Sequence, residues 1–154
     1  LLGHRSDFVA TLACVNEPTR EAQTVLNRID HIAIEVPNLE EFIETFVQTG
    51  GLKLIRRGVA TATGQRIAML GDRIGTKIEL IETPDCKETR FLHVAFASSD
   101  LGAALNDIRQ SGWNLTRGPS EIAAAQARSA FLEKDHLTIQ LLEYQKDSPD
   151  LATW

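Results

Sequence analysis

The chain has 154 residues, of which 43% are hydrophobic and 24% charged. That is ordinary globular composition, enough for one compact domain or two small halves sharing a core, and it excludes a disordered chain. The net charge of −5 argues against a nucleic-acid binder, which carries a basic face, and the apolar runs are too short to span a membrane.

Residues 1–28 read as an N-terminal extension. They hold an apolar piece, Phe8 to Ala13, and a helix-like piece, Thr19 to Leu26. Both an arm on a partner subunit and a partly ordered extension fit them. The start shows no signal-peptide pattern, and Leu1 in place of Met is expected where an N-terminus is missing or altered. Cys14, in apolar surroundings, reads as core filler. Cys86, the other cysteine, sits in a polar connection, so a disulfide framework is not expected and the cytoplasm is the natural compartment.

Residues 29–36 alternate and are rich in β-branched side chains, which predicts a strand. Pro37 stops it and Asn38 is a helix N-cap. Leu39, Phe42, Ile43 and Phe46 follow at helical spacing, and Gly50 or Gly51 ends the helix. Strands are predicted over about 52–59, 65–71 and 76–82. Gly71 to Gly75 lacks the setting of a phosphate loop and reads as a hairpin connection.

The pattern then repeats. A shift of 62 carries His31 to His93, Asn38 to Asp100, Leu39 to Leu101, Ile43 to Leu105 and Gly50 to Gly112. A shift of 61 carries Ile78-Glu79-Leu80-Ile81-Glu82 onto Ile139-Gln140-Leu141-Leu142-Glu143. The second copy has Asp100 as N-cap, a helix to Gly112, and strands over about 114–118, 127–132 and 137–144. The expected class is α+β, with two tandem βαβββ modules over 29–83 and 90–145 and a tail over 146–154.

Strand alternation puts His31, Ala33 and Glu35 opposite the greasy face of Ile32, Ile34 and Val36, which should lie under the helix. His93, Ala95 and Ala97 repeat this, opposite Leu92, Val94 and Phe96. The small alanines suit an open cavity beside each histidine. If each last strand neighbours its own first strand, His31 meets Glu79 and His93 meets Gln140. A pseudo-twofold axis then gathers the four on one concave surface. Two imidazoles, a carboxylate and an amide oxygen suit a divalent metal. Against this, a histidine in a strand is commonly a hydrogen-bonded core or surface residue. His4 and His136 have no repeat partner and are expected on the surface.

Asp30-His31-Ile32-Ala33-Ile34, Gly75 to Glu82, Leu92-His93-Val94-Ala95-Phe96, and Phe131 to Asp135 leading to Ile139-Gln140-Leu141 resemble the vicinal oxygen chelate superfamily. That superfamily holds glyoxalase I, methylmalonyl-CoA epimerase, extradiol dioxygenases, and fosfomycin- and bleomycin-resistance proteins. The resemblance covers about 29–145 and implies paired modules forming a half-open, barrel-like cup around one divalent metal (zinc, nickel, cobalt, manganese or iron). The ligands it implies are His31, Glu79, His93 and Gln140. Gln140 departs from the family pattern, where a glutamate is usual and often the base, because an amide cannot take up the proton. The second acid of the epimerase pattern is also absent, as Ala62, Thr63 and Gly64 stand there. Glu79 is left as catalytic base, with Glu35 a weaker candidate.

The expected function is a metal-dependent lyase or isomerase of glyoxalase or epimerase type. It would stabilise an enediolate of a small carbonyl or acyl-thioester substrate. A metal-free small-molecule binding protein of bleomycin-resistance type is the alternative, and an extradiol-type dioxygenase a further one. Arg56, Arg57 and Arg66 are expected near the cup, either meeting an anionic substrate or lying at a solvated edge. The expected partners are a small-molecule substrate and a second copy of the chain, with no nucleic acid and no membrane.

Overall fold

In a computed structural model the described residues are 26–60, 62–72 and 74–151. The N-terminal pieces with Cys14 and His4 lie outside them. Each half of the chain forms a strand, a helix and three strands. The first half is β1 (Leu26–Val36), α1 (Leu39–Gln48), β2 (Lys53–Val59), β3 (Arg66–Gly71) and β4 (Lys77–Glu82). The second is β5 (Arg90–Ser98), α2 (Leu101–Gln110), β6 (Asn114–Ile122), β7 (Ala127–Lys134) and β8 (Leu137–Tyr144). A short 3-10 turn, Ala123–Ala125, joins β6 to β7.

The helices start where the capping side chains predict. Asn38 Oδ1 accepts from the backbone N–H groups of Glu40 and Glu41, and Asp100 Oδ1 accepts from that of Ala103. The repeat supplies a second device. Glu82 Oε1 accepts from the Leu39 N–H, and Glu143 Oε2 from the Leu101 N–H, each at 2.9 Å. The last strand of each module thus holds the start of its own helix by a charge-assisted hydrogen bond. The matching register shifts between Leu54 and Arg56 and between Leu115 and Arg117 extend the repeat to the backbone.

One eight-stranded sheet results, in the order β2-β3-β4-β1-β5-β8-β7-β6. The two modules meet edge to edge within one chain, through antiparallel β1 and β5, while β4 runs parallel to β1 and β8 parallel to β5. This is the expected α+β architecture, and the sheet stays open as a cup.

Each module has its own core under its helix. Val36, Leu39, Ile43, Ala68, Leu70 and Leu80 form the first. Leu101, Ala104, Ala130, Leu132, Ile139 and Leu141 form the second. Ile34 and Val36 lie on the helix side as predicted. Ile32 is 42% exposed, because the helices pack on the outer strands and leave the outside of the central seam bare; Phe91 of β5 is similarly exposed. The inner side differs from the open cavity expected beside the alanines. Ala95 is fully buried and packs with Ala125, Ala127 and Leu142, because the connection after β6 folds over that part of the cup.

Candidate functional site

The four repeat-related side chains come together at the seam. Register explains why: Glu79 lies beside Ala33, Ala33 opposite His93, and Gln140 beside Ala95. Glu79 Oε2 stands 3.7 Å from His31 Nε2 and 3.9 Å from His93 Nε2. His93 Nε2 is 3.1 Å from Gln140 Oε1. The imidazoles meet edge on, with centroids 5.6 Å apart.

Ligand atoms of His31, Glu79 and His93 all lie within 4.8 Å of one another. Atoms bound about 2.0–2.2 Å from one ion lie roughly 3–4 Å apart, and the 3.7 and 3.9 Å from Glu79 to the two imidazoles fall in that range. His31 Nε2 is buried and has no hydrogen-bond partner. A buried polar atom without a partner costs stability unless something occupies it, and a metal would satisfy this one.

The surroundings orient the donors. His31 Nδ1 is 2.8 Å from Asp30 Oδ1, an arrangement that turns the Nε2 lone pair toward the cup. Asp30 also accepts from the Tyr144 hydroxyl at 2.9 Å, and Lys77 Nζ lies 3.0 Å from its Oδ2. Burial pushes the Asp30 carboxyl up, but the His31 hydrogen bond and the Lys77 charge outweigh it and hold it below the usual range. Burial pushes the Lys77 ammonium down and the Tyr144 hydroxyl up. Gln140 Nε2 donates to Ser129 Oγ at 2.8 Å, so its amide oxygen faces His93 and the site.

Burial, with help from the neighbouring His31 and the charge of Arg117, pushes His93 down to about 3. Its imidazole is neutral at pH 7, as a metal ligand must be. Glu35, the weaker base candidate, is ion-paired with Arg90. Hydrogen bonds from Thr83 and Arg90 hold its carboxyl below the usual range.

The three arginines singled out in the sequence part company. Arg57 and Arg66 pair with Glu40, and Arg66 also with Glu82, on the helix side of the sheet. Arg56 faces the cup but is held by buried Asp150, with N–O distances of 3.0–3.2 Å. A cavity of about 430 Å³ lies along this contact, lined by Arg56, Gly71, Ala124 and Asp150 among others. His136 is exposed in the β7–β8 turn, as expected. The 71–75 segment is the β3–β4 hairpin connection, where Asp72 Oδ1 accepts from the backbone N–H groups of Ile74 and Thr76.

Asp30, Tyr144, Ser129 and Asp150 were not singled out by the sequence. Asp30 escapes strict alternation because the β1–β5 register shifts between Ile29 and His31. An extra residue in one strand turns its neighbour out of the regular two-sided pattern.

A paired βαβββ sheet with histidines at both module starts defines a cup-shaped fold with a candidate metal centre. Residues 30–131 match the model of the glyoxalase/bleomycin resistance protein/dioxygenase superfamily, and the chain belongs to that superfamily. It is 27% identical over 125 residues to a probable lactoylglutathione lyase of Vibrio cholerae, covering 76% of this chain and 91% of that one. It is 28% identical over 129 residues to a lactoylglutathione lyase of Escherichia coli O157:H7, with 79% and 95% covered. Among solved structures, methylmalonyl-CoA epimerase from Mycobacterium tuberculosis superposes with a TM-score of 0.72 at 23% identity, covering 88% of this chain and 98% of that one. A Streptomyces coelicolor methylmalonyl-CoA epimerase variant in complex with 2-nitronate-propionyl-CoA superposes with a TM-score of 0.68 at 25% identity, covering 80% and 98%.

Gln140→Leu keeps the bulk of the side chain and removes its oxygen. If Gln140 is a ligand, the variant should bind a divalent ion at least about tenfold more weakly in a calorimetric titration, the lower end of losses measured even for outer-shell partners. Unchanged affinity would remove Gln140 and leave His31, Glu79 and His93 alone.

Proposed function

We propose that this protein is a divalent-metal-dependent lyase or isomerase of glyoxalase or epimerase type, acting on a small carbonyl or acyl-thioester substrate. The observation that carries this is the convergence of His31, Glu79 and His93 within 4.8 Å. The buried, partnerless Nε2 of His31 supports it, as do the lyase and epimerase relatives. A divalent ion held by these three residues and Gln140 would supply Lewis-acid polarisation of substrate oxygens.

The chain's own residues do the rest. Glu79 is the carboxylate at the centre, between both imidazoles, with its side chain 14% exposed and so reachable from the cup. In a glyoxalase-type reaction it takes a proton from the carbon next to the carbonyl and returns it to the neighbouring carbon; in an epimerase-type reaction it takes the proton from one face and solvent returns one to the opposite face. Gln140 has no proton-accepting group, so transfer is one-sided and rests on Glu79. Asp30 fixes the His31 ring, and Ser129 fixes the Gln140 amide.

The test is a screen of 2-oxoaldehyde hemithioacetals and acyl-CoA thioesters in deuterated water, with metal-loaded and chelator-treated protein. Metal-dependent deuterium exchange or turnover with one of these classes is expected. Equal behaviour with and without metal would contradict the reading.

We also propose a homodimer. Among the described residues, strands β2 and β6 end the sheet with unpaired edges, which proteins tend to cover. Light scattering should give twice the chain mass of 17.0 kDa. A monomer at about ten micromolar or more would refute it, since standard interfaces persist there.

A further inference from the structure

The repeat places one arginine on each wall of the cup. Arg56 on β2 and Arg117 on β6 are related by the same shift of 61 that relates Glu79 to Gln140. Register puts them at matching places. Arg56 lies opposite Met69, which lies opposite Glu79. Arg117 lies opposite Phe131, which lies opposite Gln140. Each guanidinium therefore starts two strands from the site, on its inner face.

Their surroundings differ. Arg56 has its charge answered by Asp150. Among the described residues no carboxylate pairs with Arg117. Its guanidinium instead stacks 3.8 Å above the Phe131 ring. Phe131 in turn meets His93 edge on, with centroids 5.2 Å apart. These two spacings put the Arg117 charge within about 9 Å of the His93 ring. Stacking restrains the planar fork, its N–H donors meet no acceptor among the described residues, and Arg117 is exposed. A restrained guanidinium without an acid partner suits bidentate recognition of a carboxylate.

We propose that Arg117 is the specificity-determining anchor for a carboxylate on the substrate. This rests on the reading of the cup as the active site and narrows it to substrates with an anionic group beyond the reacting carbons. A substrate held at His93 and reaching Arg117 needs a chain of about three to five carbons counting both end groups, at roughly 1.5 Å per bond. A neutral carbonyl compound of the same size would gain nothing from Arg117.

The test compares succinate with succinamate, which carries an amide in place of one carboxylate, by calorimetric titration of the metal-loaded protein. The wild type should bind succinate more tightly than succinamate. Arg117→Gln should reduce that preference by about tenfold or more, the size of a lost charge-assisted pair. Arg117→Lys should retain part of it. Metal content and succinamate affinity should stay near wild type in both variants. A preference that survives in Arg117→Gln, or a wild type without one, would overturn the proposal. The titration is repeated on chelator-treated protein. An Arg117-dependent preference that persists there, with no metal taken up on reloading, would refute the metal reading and leave the carboxylate anchor standing.

Discussion

Glu79→Gln should lower any proton-transfer turnover by about 100-fold or more, the usual scale for a lost general base. The substitution keeps the shape of the side chain and an oxygen that can still face the metal. Some metal should therefore remain bound, and the loss should fall on the chemical step. Gln140 cannot take over, because it too is an amide. Glu35 cannot easily do so either, because its carboxylate is occupied by Arg90. Turnover within about threefold of wild type would place the base elsewhere, since a general base contributes far more than that.

The second large effect lies away from the chemistry. Asp150 is fully buried and grips Arg56, joining the C-terminal segment to β2, the end strand of the first module. Ser148 secures the same segment by donating to the Ala125 carbonyl at 2.6 Å. Burial pulls the Arg56 guanidinium down, but the Asp150 hydrogen bond and charge more than offset it and raise it. Asp150→Ala leaves a largely buried cation without its partner. It should cost about 3 kcal/mol, the low end for breaking a buried pair, because the Arg56 side chain keeps 16% of its exposure. For a domain of this size the midpoint of thermal unfolding should fall by roughly 6–12 °C. The double change Arg56→Met with Asp150→Leu should recover much of the loss, since a matched apolar pair carries no desolvated charge. A fall of less than about 2 °C in Asp150→Ala would show that the contact contributes little.

Much of the fold is legible because the chain states it twice. The shift of 62 fixes both first strands and both helices, and the alternation within β1, β4, β5 and β8 decides which side chains face the cup. His31, Glu79, His93 and Gln140 could be assembled this way without coordinates, since a pseudo-twofold arrangement carries equivalent residues to one place. What breaks the repeat was not legible. Asp30 reaches His31 through a register shift that strict alternation does not anticipate. Its equivalent in the second module is Leu92, so among the described residues the carboxylate that orients His31 has no counterpart at His93. Asp150 lies in a tail without a repeat partner, and nothing local predicts its long-range contact with Arg56. Arg117 was legible in principle, as Arg56 shifted by 61. Its stacking on Phe131 was not, because that contact depends on the β6–β7 register, which shifts between Leu115 and Arg117.

The proposed function stands on one divalent ion sitting between His31, Glu79 and His93. Elemental analysis of purified protein, with the His31→Ala and His93→Ala variants alongside, tests it most directly. About one ion per chain is expected in the wild type, the stoichiometry of a single mixed nitrogen and oxygen site. Each variant should lose that ion and keep its fold by circular dichroism. Full metal retention in both folded variants, or a wild type that takes up no zinc, nickel, cobalt, manganese or iron on reloading, would contradict it.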